Sequence, residues 1–186
     1  MLKRIYRKIC IIINTIKIRF IAVFRMSWIS FGATIHIHPG GTFNIGKGVG
    51  IAKNSVIGVL PGAVLSIESG CNIGHNVTIF CADSINIGEK SRIAHNSTII
   101  DHDYNIYDSR SGKSIFEREK ITGPVWIGKS VWLGADVLIF KGVSIGSNSV
   151  IGAQTKVLRS VPSDTVAFYR NSGQLLEKAI FIKHIE

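Results

Sequence analysis

Ile127, Leu133, Ile139, Ile145, Ile151 and Val157 stand six residues apart, in a stretch that reads IGKSVW LGADVL IFKGVS IGSNSV IGAQTK VLRSVP. A strict six-residue beat fits neither the 3.6-residue period of a helix nor the two-residue period of a strand. It is the mark of a solenoid in which each turn repeats the last. The beat recurs earlier in three runs: Ile45, Ile51, Ile57; then Ile67, Ile73, Ile79; then Ile87, Ile93, Ile99. The shifts between frames are small insertions, which a solenoid accepts at its corners. β-branched anchors suit short strands and a narrow core. The small residue after the anchor, as at Gly46, Ala52, Gly74, Gly88, Gly128, Gly134 and Gly146, suits a corner where the backbone turns tightly. Three segments per coil predict a triangular prism about eighteen residues around, with stacked neighbours supplying the core that one coil lacks.

The expected fold class is therefore an all-β solenoid with an N-terminal amphipathic α-helix and a short C-terminal helix or tail. The chain of 186 residues divides into a helical extension over 1–28, a solenoid over 29–165 and a helical tail over 166–186. Apolar content of 46% against 18% charged residues speaks for a folded chain. The three cysteines, Cys10, Cys71 and Cys81, have no CxxC spacing, which points to a reducing compartment and to neither a disulfide framework nor a zinc cluster.

The net charge of +10 is unevenly placed, because no Asp or Glu precedes Glu68. The basicity belongs mostly to the N-terminal part. Wound as a helix, Ile5, Ile9, Ile12, Ile13, Ile16, Phe20 and Val23 share one face, while Lys3, Arg4, Arg7, Asn14, Lys17 and Arg25 lie mostly elsewhere. Such a helix suits an anionic membrane surface. The competing reading is a helix that packs on the solenoid end and caps its open core. Lys17 and Arg19 interrupt any span of about 18 apolar residues, and no small-residue cleavage site marks a signal peptide. Nucleic acid is not an expected partner.

The repeat fails once at length, over residues 101–124, where DHDYNIYDSRSGKSIFEREK is polar and charged. Solenoids place such loops on a working face. His102 sits at its root between Asp101 and Asp103. There an imidazole can serve as general base, with a carboxylate fixing its tautomer. Eighteen-residue stacking puts Lys141 against Arg159, a cationic ladder for phosphates, and Ala135 against Ala153, with open backbone groups. Trp132 offers a flat apolar wall. His75 and His95 recur twenty residues apart and, with His102, would make a metal set, but without a tight His pair no metal is expected.

The run GPVWIGKSVWLGADVLIFKGVSIGSNSVIGAQTKVLRSVP closely resembles the hexapeptide-repeat acyltransferases, above all the maltose and galactoside O-acetyltransferases and their relatives in surface-polysaccharide synthesis. The resemblance covers roughly residues 30–165. It implies a left-handed parallel β-helix, a homotrimer with sites between subunits, and acetyl-coenzyme A as donor. It implies His102 as general base, with Asn76 and Trp132 on the substrate side; Asp101 and Asp103, which flank that imidazole, are expected on the substrate side as well. It places Trp132, Ala135, Lys141, Ala153 and Arg159 along coenzyme A. Asp103 stands where relatives carry Pro, and FYRNSG (168–173) replaces their segment after the last coil. The basic helix replaces a globular N-terminal domain, as in the polysaccharide branch. The implied reaction is O-acetylation of a glycan or lipid-linked sugar at the cytoplasmic membrane face. N-acetylation of an amino sugar, a metal-dependent hydratase and an inactive scaffold stay open.

Overall fold

The computed structural model describes residues 2–107, 112–169 and 175–179. After helix α1 (Leu2–Phe24), strands β1 (Trp28–Ile29), β2 (Thr34–Ile37) and β3 (Thr42–Ile45) make the first coil. β4 (Gly50–Ile51), β5 (Val56–Val59) and β6 (Val64–Ile67) make the second, and β7 (Asn72–Ile73), β8 (Thr78–Cys81) and β9 (Ser84–Ile87) the third. The fourth coil starts with β10 (Arg92–Ile93) and β11 (Thr98–Ile100), leaves the prism through β12 (His102–Tyr104) and β13 (Lys120–Thr122), and closes with β14 (Val125–Ile127). β15 (Trp132–Leu133), β16 (Leu138–Ile139) and β17 (Ser144–Ile145) form the fifth coil. β18 (Val150–Ile151), β19 (Lys156–Val157) and a bridge at Val161 form the sixth.

The coils stack into three parallel sheets. The first face runs β1-β4-β7-β10-β15-β18, the second β2-β5-β8-β11-β16-β19 and the third β3-β6-β9-β14-β17. This is the left-handed parallel β-helix expected of the chain. The anchors of the six-residue beat point inward, and Ile57, Ile73, Ile79, Ile99, Ile127 and Leu133 are fully buried. Each contributes about 1.5–3 kcal/mol by leaving water. Buried serines tie coil to coil: Ser91 Oγ donates to the Gly128 carbonyl and accepts from the Val131 N–H, and Ser97 does the same with Gly134 and Val137.

Two expectations need correction. The eighteen-residue circumference holds for the later coils, where Trp132 lies on Val150. Earlier registers are longer, with Trp28 on Gly50, Gly50 on Asn72, and Asn72 on Arg92. The small residue after each anchor also serves a different end. The left-handed backbone falls two residues later, at Asn54, Asn76, Asn96, Asp136 and Gln154 on one corner. The glycine itself admits the next coil: a Cβ on Gly146 would stand 2.1 Å from the Ser163 nitrogen, and one on Gly134 2.6 Å from that of Ala153.

The C-terminal helix is not found in the described part of 166–186. β20 (Thr165–Tyr169) continues the first face beside β18, and β21 (Leu175–Ala179) folds back on it antiparallel. The alternating, β-branched sequence TVAFY carries that preference. The rest of the expected tail, and Arg170–Gly173 of the FYRNSG segment, lie outside the described residues.

α1 caps the open end of the first coil. Ile18 and Ala22 are 2% exposed and join the core. Arg19 donates to the carbonyls of Ile29, Ser30 and Ala33, Thr15 to Ile35 and Asn14 to Ile37. These bonds supply donors to carbonyls for which no preceding coil exists.

Candidate functional site

The excursion at 101–124 is a ribbon. β12 and β13 pair antiparallel, with His102 opposite Thr122, Asp103 opposite Ile121 and Tyr104 opposite Lys120. Its root is pinned to the prism, because the Asp101 carbonyl accepts from Gly123 N–H and the Gly123 carbonyl from Gly142 N–H. The ribbon thus leaves and rejoins at one corner, between the second and third faces.

Asp101 is fully buried under that root. Its two carboxylate oxygens accept the Ala82 and Asp83 N–H groups, each at 2.8 Å. One of them also meets His102 Nδ1 at 3.0 Å. A carboxylate only accepts, so Nδ1 carries the proton and the neutral ring keeps its lone pair on Nε2. The His102 side chain is 15% exposed. Asp101, expected among the substrate contacts, has no surface to offer a sugar, and its partners are the backbone and the imidazole.

Asp103 is exposed and pairs with Lys141 Nζ. Half of the expected cationic ladder is thus already matched by a carboxylate. Lys141 and Arg159 do occupy equivalent positions, since Ile139 lies on Val157 in the register just before them. Beside the pair lies a hollow of about 320 Å³ walled by Asp103, Tyr104, Ile106, Tyr107, Ile121 and Lys141. A roomier hollow of about 570 Å³, lined in part by Arg25, Ser66, Glu68, Asn86 and Glu89, holds none of the expected site residues.

Sequence reading missed Lys120. It is half-buried, its ammonium stands 5.8 Å from the Tyr104 ring centre, and burial lowers its pKa against the opposing pull of Asp101. Only its antiparallel pairing brings it there, a contact that the six-residue period does not encode.

The remaining expected residues lie elsewhere on the chain. Asn76 sits on the corner between the first and second faces, in left-handed conformation, with its amide donating to Asn96 Oδ1 at 3.1 Å. Ala135 and Ala153 share that corner, stacked through Gln154 N–H on the Ala135 carbonyl. Trp132 stands 56% exposed on the first face. One chain therefore brings together His102, Asp101, Asp103 and Lys141, and leaves Asn76, Ala135, Ala153 and Trp132 across the second face. His75 and His95 keep to the Asn76 corner, away from His102. Among the described residues no three His, Cys, Asp or Glu side chains gather as a metal set.

A model of the hexapeptide repeat of succinyl-transferase matches residues 64–100 and 124–155. The galactoside O-acetyltransferase of Escherichia coli is 33% identical over 120 residues, which cover 59% of this chain and 55% of that protein. The chain thus spans just over half the length of that relative. An Escherichia coli protein assigned to lipopolysaccharide biosynthesis as an O-acetyl transferase, WbbJ, is 28% identical over 77% of this chain and 81% of its own. Among solved structures, AntD, an N-acyltransferase from Bacillus cereus in complex with dTDP and 3-hydroxybutyryl-CoA, superposes with a TM-score of 0.70. It is 21% identical and covers 85% of this chain and 82% of that one, a likeness that carries the fold.

Proposed function

We propose that this chain is a hexapeptide-repeat acyltransferase that moves an acetyl group from acetyl-coenzyme A to a sugar hydroxyl, with His102 as general base. The observation that carries this reading is the imidazole at the ribbon root, its Nδ1–H directed to the buried Asp101 carboxylate. Nε2 takes the hydroxyl proton as the sugar oxygen attacks the thioester carbonyl. The new C–O bond forms, the C–S bond breaks, and the proton passes to the departing thiolate. A positioned base contributes about 10²–10⁴-fold to such a step. The O-acetyltransferases among the relatives support a sugar hydroxyl of a surface glycan as acceptor. An amine on a nucleotide-linked sugar is the second reading, favoured by the N-acyltransferase that shares the fold; the same base would serve it.

The donor reading rests on Trp132, Ala135, Ala153 and the basic positions Lys141 and Arg159, which suit an apolar arm and phosphates. Trp132, Ala135 and Ala153 flank one edge of the second face, and His102, Lys141 and Arg159 the other. The outward side of that face carries Val56, Phe80, Ile100 and Leu138 among Thr34, Thr78, Thr98 and Lys156, none of them fully buried. A homotrimer that packs through this mixed face would complete each site from two copies.

The test is a donor and acceptor screen with purified protein, read by product mass and free thiol. His102→Ala should lose about 10²–10⁴-fold in kcat/KM with an unchanged thermal midpoint. Mixing and reassembling His102→Ala with Trp132→Ala should restore part of the rate, because some sites then draw both intact halves. Full activity in His102→Ala would remove the base. Failure of the mixture to recover activity would place the site within one chain.

A further inference from the structure

Helix α1 has two faces, and the prism uses only one. Ile18, Ala22, Thr15, Asn14 and Arg19 turn inward to the cap described above. On the opposite side Ile5, Ile9, Ile12, Ile16, Phe20 and Val23 are between 46% and 72% exposed. At 100° per residue these six lie within a sector about 80° wide that faces directly away from Ile18. The Phe20 and Phe24 rings meet edge to face at 4.9 Å within the exposed surface. Lys8 borders one edge of the stripe and Lys17 the other, and the helix contains no acid. A folded chain does not leave so continuous an apolar stripe to water without an occupant.

We propose that this face docks on an anionic phospholipid bilayer, lying in the interface with its apolar stripe in the acyl boundary and its basic edges among the headgroups. Charge decides the occupant. No acidic residue precedes Glu68, so the helix of a second copy would bring only like charge to these edges. Anionic headgroups neutralise them. No helix among the described residues is long and apolar enough to cross a membrane, which leaves α1 lying on it. The cap fixes the geometry: α1 lies between the bilayer and the first coil, and the ribbon stands three coils beyond that coil, roughly 15 Å further at strand spacing. A glycan anchored in the same bilayer would come within reach of His102; that consequence rests on the proposed reaction, while the docking does not.

The experiment is flotation of the full chain with vesicles of phosphatidylcholine alone and with about one-third phosphatidylglycerol, at low and high salt. The protein should float with the anionic vesicles only, and less at high salt. Ile12→Glu with Ile16→Glu should lower partition more than about tenfold, since both side chains lie outside the cap. Lys8→Gln and Lys17→Gln should each lower it about fivefold. If the glutamate variant does not fold, the lysine variants decide. Wild-type protein that stays with the soluble fraction overturns the proposal, as does equal flotation of the variants. So does a fall in oligomer mass of the Ile12→Glu, Ile16→Glu protein by light scattering in the absence of lipid, which would make the stripe a subunit interface.

Discussion

The solenoid is interrupted at two places, and the two interruptions are built from opposite chemistry. At the end of the prism α1 brings donors to carbonyls, through Arg19, Thr15 and Asn14. At the long corner Asp101 brings an acceptor to N–H groups, those of Ala82 and Asp83. The cap uses neutral or permanently charged groups and terminates a stack. The ribbon root uses a buried carboxylate and hands its remaining capacity to an imidazole. The difference teaches that the polar groups inside this prism are not equivalent. Removing a capping donor should cost order at one end, whereas removing the carboxylate should cost order and protonation state together.

Asp101→Asn is the harshest test of that contrast. An amide has one oxygen where the carboxylate has two, and its NH₂ would face the Ala82 or Asp83 N–H or the ring. At least one buried donor loses its partner, at about 1–3 kcal/mol. The ring also loses the acceptor that holds Nδ1–H. Activity should fall about 10²–10⁴-fold, with a displaced pH–rate profile and a lowered thermal midpoint. His102→Ala should lower the rate alone. If Asp101→Asn keeps the wild-type pH profile, the carboxylate is merely structural and the contrast fails.

Arg19→Ala is the matching test at the cap. Three carbonyls lose one guanidinium, again at about 1–3 kcal/mol. Solenoid stability is close to a sum over neighbouring coils, so the loss should stay local. Hydrogen exchange should quicken in β1–β3 while β14–β18 keep their protection, and kcat should not move. A fall in kcat would show that the cap and the ribbon communicate.

The prism was legible because every anchor of the beat is an inward side chain, and burial is what a hydrophobic period records. Ile45 through Val157 were read for that reason. The stripe of α1 is legible too, and so is a capping role, but not the residues that make the cap. The capping face is built from Asn14, Thr15 and Arg19, which a hydrophobic period counts as solvent side. Their bonds go to backbone, and no sequence pattern announces them. Asp101 is legible as a carboxylate beside His102, but its burial is not. An aspartate in a polar stretch reads as exposed, whereas the chain turns here so that the carboxylate faces inward and His102 outward. Asn76 shows the reverse problem, because a left-handed corner favours Asn whatever else the residue does.

The smallest predicted effect joins the two regions. Arg7 Nε–H donates to His38 Nδ1 at 3.1 Å, tying the start of α1 to the first coil. The bond requires an unprotonated Nδ1. The pKa of His38 lies below its ordinary 6.5, first through burial, then through the charges of Arg7, His36 and, from the ribbon, Lys120. A base whose folded pKa is lowered binds its proton more weakly than in the unfolded chain. Its contribution is therefore present above pH 6.5 and fades as pH falls. The ring is only half-buried, so screening leaves about a few tenths of a kcal/mol. The urea midpoint should drop slightly between pH 7.5 and 5.5, and Arg7→Ala should flatten that drop by removing both the bond and one repelling charge. Lys120→Gln should flatten it less, through charge alone. An identical slope in all three proteins would mean that the ribbon's ammonium does not reach the cap, and that the two interruptions act independently.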